Sequence, residues 1–304
     1  MKLIATLALL ASILLCSVAQ AEEPITLGWG RLFTNDAIGD LEDRWHTGSY
    51  TVSRLRGHNW SGALPKKAGR ILEFRFVADT VAPSNLLSPA ASDRRYAGSL
   101  TFSAATHFDL HGFDATYGGG ATIIGPATGL GLFQSKVHEF LNLDAPTTVL
   151  DDQIPNQILP YATAEIARSL DLSDLITLRP YLAGQAGAED LLRIGGDLIL
   201  GRMGKTDLLL RDTTTGHLFR GISGDAAAQF SLVLGVDLAR VFDSVYLPDG
   251  GAAVMTESRH RLRVGYLWQG KKATVFSGLT YLSPEFDGQS EGQIVGSLSL
   301  NFTF

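Results

Sequence analysis

One stretch near the end of the chain restricts the fold more than any other. From Gly292 to Phe304, GQIVGSLSLNFTF alternates: Ile294, Gly296, Leu298, Leu300, Phe302 and Phe304 fall on one side, and Gln293, Val295, Ser297, Ser299, Asn301 and Thr303 on the other. Successive side chains of a strand point to opposite faces, so this segment has one apolar face and one face of small polar groups, with only Val295 out of place. A strand with lipid outside and a filled or wet lumen inside reads this way. An amphipathic strand of a soluble sandwich alternates similarly, so the choice between the two falls to the rest of the chain.

Residues 1–21, MKLIATLALLASILLCSVAQA, combine one Lys, a long apolar run and Ala19-Gln20-Ala21, the form of a secretory leader cleaved after an A-x-A site. A mature chain of residues 22–304 is expected. Cys16 sits inside the apolar run behind Leu14 and Leu15, where a lipoprotein leader carries a small residue. It is the only cysteine, so the mature chain has neither disulfides nor a thiolate metal site. Setting Lys2 aside leaves 24 of the 25 basic residues against 31 acidic ones, a balance that disfavours nucleic acid as a partner. No later segment offers the run of about 18 apolar residues that a spanning helix needs. A secreted, cysteine-free chain with 33 glycines and a terminal Phe on an amphipathic strand fits a bacterial outer-membrane protein.

Similar segments recur along the chain. Ile25–Asn35, Gly48–Leu55, Arg70–Val81 and Gly98–Asp109 are expected as the first four strands, the third placing Leu72, Phe74 and Phe76 outward against Glu73 and Arg75. Thr116–Gly125, Gln157–Ser169, Leu175–Gly187 and Leu191–Arg202 give four more; Ala228–Phe242, Arg261–Gln269, Thr274–Leu282 and the terminal segment complete twelve. An even strand number suits a single-chain bacterial barrel. The long polar connections 36–47, 82–97, 126–156, 246–260 and 283–291 belong at the outer face, and short ones such as 171–173 and 270–272 at the periplasmic face. Met203–Gly224 departs from this rule, being long on the turn side. The expected architecture is a single all-β domain, a transmembrane antiparallel β-barrel of about twelve strands.

One stretch within the third outer loop is patterned for a helix. In Gly129–Asp144, GLGLFQSKVHEFLNLD, the residues Gln134, Val137, His138 and Leu141 recur at i, i+3, i+4, i+7 and are expected to share an inward face. A Gln and a His on such a face are either satisfied by partners or used chemically. Asn35 and Asp36, at the outer end of the first strand, lie within reach of the same rim, so Asp36 and His138 are expected to meet. Asn35, Asp36, Thr47 and Asp144 supply hard oxygens and no soft ligand, which favours calcium. A neighbouring His can deprotonate water while the cation polarises an ester carbonyl.

The chain also resembles a known family, the outer-membrane lipid A 3′-O-deacylases. The resemblance is carried by Asn35-Asp36 after the first strand, Asp43-Arg44-Trp45-His46-Thr47-Gly48 entering the second and Asp93-Arg94-Arg95-Tyr96-Ala97-Gly98 entering the fourth. Ile124-Gly125-Pro126, Gln134-Ser135-Lys136-Val137-His138 and Asp152-Gln153-Ile154 follow in order; the second half of the chain matches in strand pattern only. The resemblance implies a twelve-stranded barrel and calcium-dependent removal of the 3′-linked acyloxyacyl group of lipid A. It implies His138 as the general base and Asn35 and Asp36 as the core of the calcium and oxyanion region. Thr47 and Gln134 are implied as ligand or orienting residues of the same pocket. Asp144 stands where the family has Glu, and Pro83–Leu87, PSNLL, lacks the basic residue expected in the second outer loop. Arg94, Arg95 and Lys136 are the cations available to a lipid A phosphate.

The chain admits two other readings. His58-Asn59-Trp60-Ser61-Gly62 faintly resembles the His and Ser motif of outer-membrane phospholipases, but residues three apart in a strand face opposite ways. The non-enzymatic alternative is an outer-membrane pore or structural barrel: inward Glu73, Arg75, Arg179 and Arg263 would fill the limited lumen of any such barrel, and the discriminating feature is the helix bearing His138, which a passive pore does not need.

Overall fold

The computed structural model describes residues 23–143, 146–224 and 228–302. The expected leader, Asp144 and the terminal Phe304 lie outside them. Twelve long antiparallel strands form the wall: β1 Ile25–Asn35, β2 Trp45–Gly57, β3 Ile71–Ala82, β4 Ala97–Leu110, β5 Phe113–Ile124 and β6 Gln157–Ala167. They continue as β7 Ile176–Ala186, β8 Glu189–Leu200, β9 Gln229–Ser244, β10 Ser258–Gln269, β11 Ala273–Leu282 and β12 Gln293–Phe302. Each strand pairs with its sequence neighbours, and β1 pairs with β12 (Phe33 opposite Leu298, Asn35 opposite Gly296), so the sheet closes and leaves no free edge. Among the described residues no helix is long and apolar enough to cross a membrane; the crossing is made by strands.

The alternation behaves as expected. In β12, Ile294, Leu300 and Phe302 are exposed, while Gln293, Val295, Ser297 and Ser299 are buried in the lumen. Val295, the one misfit of the pattern, faces inward. Leu72 and Phe74 of β3 are exposed and Glu73 is buried. Glu73, Arg75, Arg179 and Arg263 do fill the lumen: Arg75 pairs with Glu73 at 2.6 Å, Arg179 with Asp114 at 3.0 Å and Arg263 with Asp197 at 2.7 Å.

The anomalous connection after β8 has a physical account. Within it, Leu208–Arg211 and Leu218–Ile222 form a hairpin that folds back into the barrel. Its Leu210, Leu218 and Phe219 pack with Leu32, Leu55, Val233, Leu267 and Phe276 of the wall. Gly28 and Gly30 give it room: a Cβ on Gly28 would collide with the Gly221 carbonyl, and one on Gly30 would lie 2.8 Å from the Phe219 ring. Arg211 ties the hairpin to Glu165 at 2.8 Å and Asp197 at 2.9 Å. The His58–Gly62 motif lies on the same turn side, where the Trp60 indole donates to the Thr206 carbonyl, at the opposite end of the barrel from His138. At the outer mouth, Trp45, Leu247, Ala253 and Phe286 pack into a cap. Ion pairs cross-link the lumen, and the hairpin and the outer cap narrow it. A cavity of about 440 Å³ remains inside it.

Candidate active site

The site is assembled from three outer loops on the outside of the wall. Asn35 lies two residues beyond exposed Phe33, and its partner Gly48 two before exposed Tyr50, so both face away from the lumen. Thr47 is an extra residue in β2: His46 pairs with Val81 and Gly48 with Thr80, which makes Thr47 a β-bulge. The bulge separates two environments. His46, before it, points inward to Glu285 at 3.1 Å. The Thr47 carbonyl, by contrast, accepts from Asn35 Nδ2 at 2.6 Å.

Two glycines let the loops lie against the wall. A Cβ on Gly98 would sit 2.8 Å from Thr128 Oγ1 and 2.9 Å from Leu130 Cβ; one on Gly296 would sit 2.5 Å from Ile38 Cγ2. Gly98 shares its face with exposed Phe102, and Gly296 with exposed Ile294 and Leu300. The third loop, through α1 (Leu130–Phe140), and the first, through the 3-10 turn Asp36–Ile38, therefore both lean over the outward face. Beneath α1, Ala82, Leu86, Tyr96 and Val149 of the short helix α2 (Thr147–Asp151) form a buried shelf.

The sequence spacing places Gln134, Val137, His138 and Leu141 on one inward face of α1. Instead Gly131 and His138 are buried, Gln134 is half-buried, and Val137 and Leu141 are exposed. Small residues decide the rotation: Gly131 sits where a Cβ would lie 2.6 Å from Leu150 Cδ2, so this edge packs closest to α2.

His138 Nε2 lies 2.7 Å from Asp43 Oδ2. Gln134 joins them, donating from Nε2 to Asp43 Oδ1 at 3.2 Å and accepting from the Tyr96 hydroxyl at 2.9 Å. Asp36 is buried, and its two oxygens take the backbone N–H groups of Ala37 at 2.8 Å and Arg44 at 3.0 Å. No Lys or Arg ion-pairs with it among the described residues. Burial, with Asp43 as a second carboxylate nearby, pushes the Asp36 carboxyl up to about 8. Burial also raises Asp43, against the pull of His138 and Gln134.

The structure thus brings Asn35, Asp36, Thr47, Gln134 and His138 to one neighbourhood, but the carboxylate on His138 is Asp43 rather than Asp36. Sequence reasoning passed over Asp43 and Tyr96 as site residues, although both stand in the motifs DRWHTG and DRRYAG; the signal was a second carboxylate in the same short loop as Asp36. Arg94 is not at the site: it points into the lumen, Nη1 2.5 Å from Glu285 Oε2. Arg95 is outside but occupied, its Nη2 3.0 Å from Asp152 Oδ1. Lys136 is exposed on α1.

Whether these residues suit a hard cation can be tested on their chemistry. No cluster of three or more His, Cys, Asp or Glu side chains is arranged for a metal among the described residues. A buried carboxylate without a cationic partner, crowded by another and flanked by amide and carbonyl oxygens, nevertheless matches the all-oxygen preference of calcium.

A family model described as outer membrane protein LpxR matches residues 3–304. Among solved structures, LpxR from Salmonella typhimurium superposes with a TM-score of 0.74 at 16% identity, covering 91% of this chain and 100% of that one. The β-domain of the Bordetella autotransporter BrkA is far more distant, with a TM-score of 0.38 and 9% identity over 91% of this chain and 99% of that one. The CymD monoaromatic hydrocarbon channel gives 0.37 and 12% over 94% and 90%. No curated protein sequence matches the chain. The family match spans nearly the whole length, and with it the chain belongs to the LpxR family of outer-membrane proteins, the lipid A deacylases that its Asn35-to-Ile154 motifs resemble.

Proposed function

We propose that this protein hydrolyses the 3′-linked acyloxyacyl ester of lipid A in the outer leaflet, with water as the attacking nucleophile and His138 as general base. The observation that carries the reading is the position of the His138–Asp43 pair, 2.7 Å apart on the lipid side of the barrel wall. A lipid moving laterally in the leaflet reaches that face without entering the lumen.

A neutral imidazole that donates its Nε2 hydrogen to Asp43 carries its lone pair on Nδ1, the atom that takes the proton of water. Asp43 fixes this tautomer and stabilises the imidazolium formed as water attacks. Gln134, itself held by Tyr96, keeps the Asp43 carboxylate in register. Asn35 has two amide hydrogens and spends one on the Thr47 carbonyl, so the other is available to the developing oxyanion. Asp36, Thr47 and Asn35 would hold calcium, with Asp144, outside the described residues, as a further ligand; when bound, the cation supplies charge stabilisation for an ester oxygen. Lys136 is the candidate for a lipid A phosphate, whereas Arg94 and Arg95 position loops through Glu285 and Asp152.

The test is mass spectrometry of lipid A from membranes incubated with the purified protein, with and without a calcium chelator, alongside His138→Ala. Loss of an acyloxyacyl mass that requires both His138 and calcium is expected. Unchanged lipid A with a folded barrel, or full turnover by folded His138→Ala, overturns the assignment.

A further inference from the structure

Helix α1 carries more than the site. At about 100° per residue, its side chains sort into three faces. Gly131, Gln134 and His138 form the face packed on α2 and on the loop residues Tyr96 and Asp43. Lys136 and Glu139 lie about 140° away, with exposed Leu132 between them. Between these two faces, Phe133, Val137 and Phe140 fall within about 60° of one another, with Leu141 beside them. Among the described residues nothing covers that third face: Phe133 is 66% exposed and Phe140 84% exposed. Contiguous exposed aromatic and aliphatic groups of this size mark an interaction surface.

The occupant follows from where the helix rests. Leu130, at its start, abuts Gly98 on the outward face of β4, the face that also bears exposed Phe102. The loop leaves β5 and enters β6 beside Ile158, which is outward and 75% exposed. On the other flank of the site, Ile38 lies over the outward face at Gly296, and Leu41 in the same loop is 80% exposed. The seat of α1 thus adjoins the lipid-facing band of the barrel, with Phe133, Val137 and Phe140 exposed beside it.

We propose that α1 is an interfacial helix, lying in the outer surface of the membrane with Phe133, Val137, Phe140 and Leu141 immersed among acyl chains. It stations the His138–Asp43 pair at a fixed depth beside the boundary between headgroups and chains, and it makes turnover depend on how the substrate is presented.

Cys16 is the only cysteine, so a Cys16→Ala background permits single spin labels at Phe133→Cys, Lys136→Cys, Glu139→Cys and Phe140→Cys. The labelled full chain is placed in phosphatidylcholine–phosphatidylglycerol vesicles. Positions 133 and 140 should be more accessible to oxygen than to a water-soluble nickel complex, and 136 and 139 the reverse. Nickel access at all four positions would leave the helix in water and overturn the proposal. Spin–spin broadening at 133 and 140 that vanishes on dilution with unlabelled protein would assign the face to a second copy of the chain, and also overturn it. This measurement does not depend on the deacylase reading. A second arm does: Phe133→Ser/Phe140→Ser should keep its rate on detergent-dispersed lipid A and lose at least about tenfold on lipid A in bilayers, through KM rather than kcat. Equal losses in both presentations would reduce the two residues to structural ones.

Discussion

Asp43 and His138 come from the first and third outer loops and meet at 2.7 Å on the outside of the barrel. Neither is positioned by its own segment alone. His138 depends on the seat of α1 at Gly98, and Asp43 on Gln134 and on the bulge at Thr47 that ends its loop. A pair joined across two loops in this way is sensitive to small displacements, because an orienting hydrogen bond weakens steeply with distance and angle.

Asp43→Asn should therefore lower turnover on lipid A by about 10²- to 10⁴-fold, the range for a general base left in the wrong tautomer. The amide has nearly the same volume, so heat-modifiable migration of the folded barrel should be unchanged. Full turnover by folded Asp43→Asn would remove Asp43 from the mechanism.

Asp36 gives a pH dependence with a definite sign. Its carboxyl is raised to about 8 in the folded protein, against about 4 in an unfolded chain. The folded state thus holds the extra proton between these values. This group's contribution to stability is fully present below about pH 4 and is lost as pH rises through about 8. A cation must displace that proton, so apparent calcium affinity should fall by up to about tenfold per pH unit below about 8. Calorimetric titration of calcium into the detergent-solubilised protein at pH 6, 7 and 8 measures this. A flat affinity in the parent, or an unchanged slope in Asp36→Asn, would contradict it.

The fold was legible because the membrane enforces alternation on every strand. Phe102 and Ile294 face lipid and Glu73 and Ser297 face the lumen, so all twelve strands could be read from period two alone. The hairpin after β8 was not, because its Leu210, Leu218 and Phe219 are apolar for an inward environment that a lipid-based reading does not anticipate. In the site, types were easier to read than pairings. Asn35, Asp36, Gln134 and His138 share a neighbourhood as expected, but which carboxylate reaches His138 depends on how α1 is rotated. That rotation is set by Gly131 against Leu150, a contact between residues 19 apart whose sequence signal is a single missing side chain. Arg94 and Arg95 show the same limit: adjacent in sequence, they fall on opposite sides of the wall.

Gly98 is the seat of α1, and filling it should displace the helix without harming the sheet. A Cβ there would lie 2.9 Å from Leu130 Cβ, and Val is well suited to a strand. Gly98→Val should assemble as a normal barrel and lose at least about tenfold in deacylation, because a shift of about 1 Å at a catalytic pair can cost about 10²-fold. Gly119→Val, elsewhere on the wall, serves as a control that should retain its rate. Normal deacylation by Gly98→Val would mean that α1 does not need this seat.

The plug and the site lie on opposite faces of the wall, so stability and activity should separate. Phe219 is fully buried among Leu32, Leu55 and Phe276, and truncating such a ring costs about 3–5 kcal/mol through lost burial and the cavity left behind. Phe219→Ala should accordingly lower the urea midpoint of the barrel in lipid vesicles. Deacylation per folded molecule should stay within about twofold of the parent, because the hairpin packs on lumen residues such as Leu32, Leu55 and Phe276. The intact protein should also give no steady conductance in planar bilayers, since Arg211 ties the hairpin to Glu165 and Asp197 within the lumen and Trp45 packs with Leu247, Ala253 and Phe286 at the outer mouth. A Phe219→Ala protein of unchanged stability would deny the hairpin its structural role. Lost activity in the folded fraction would show that the lumen communicates with the outer face, and the two sides of the wall would then have to be treated as one coupled unit.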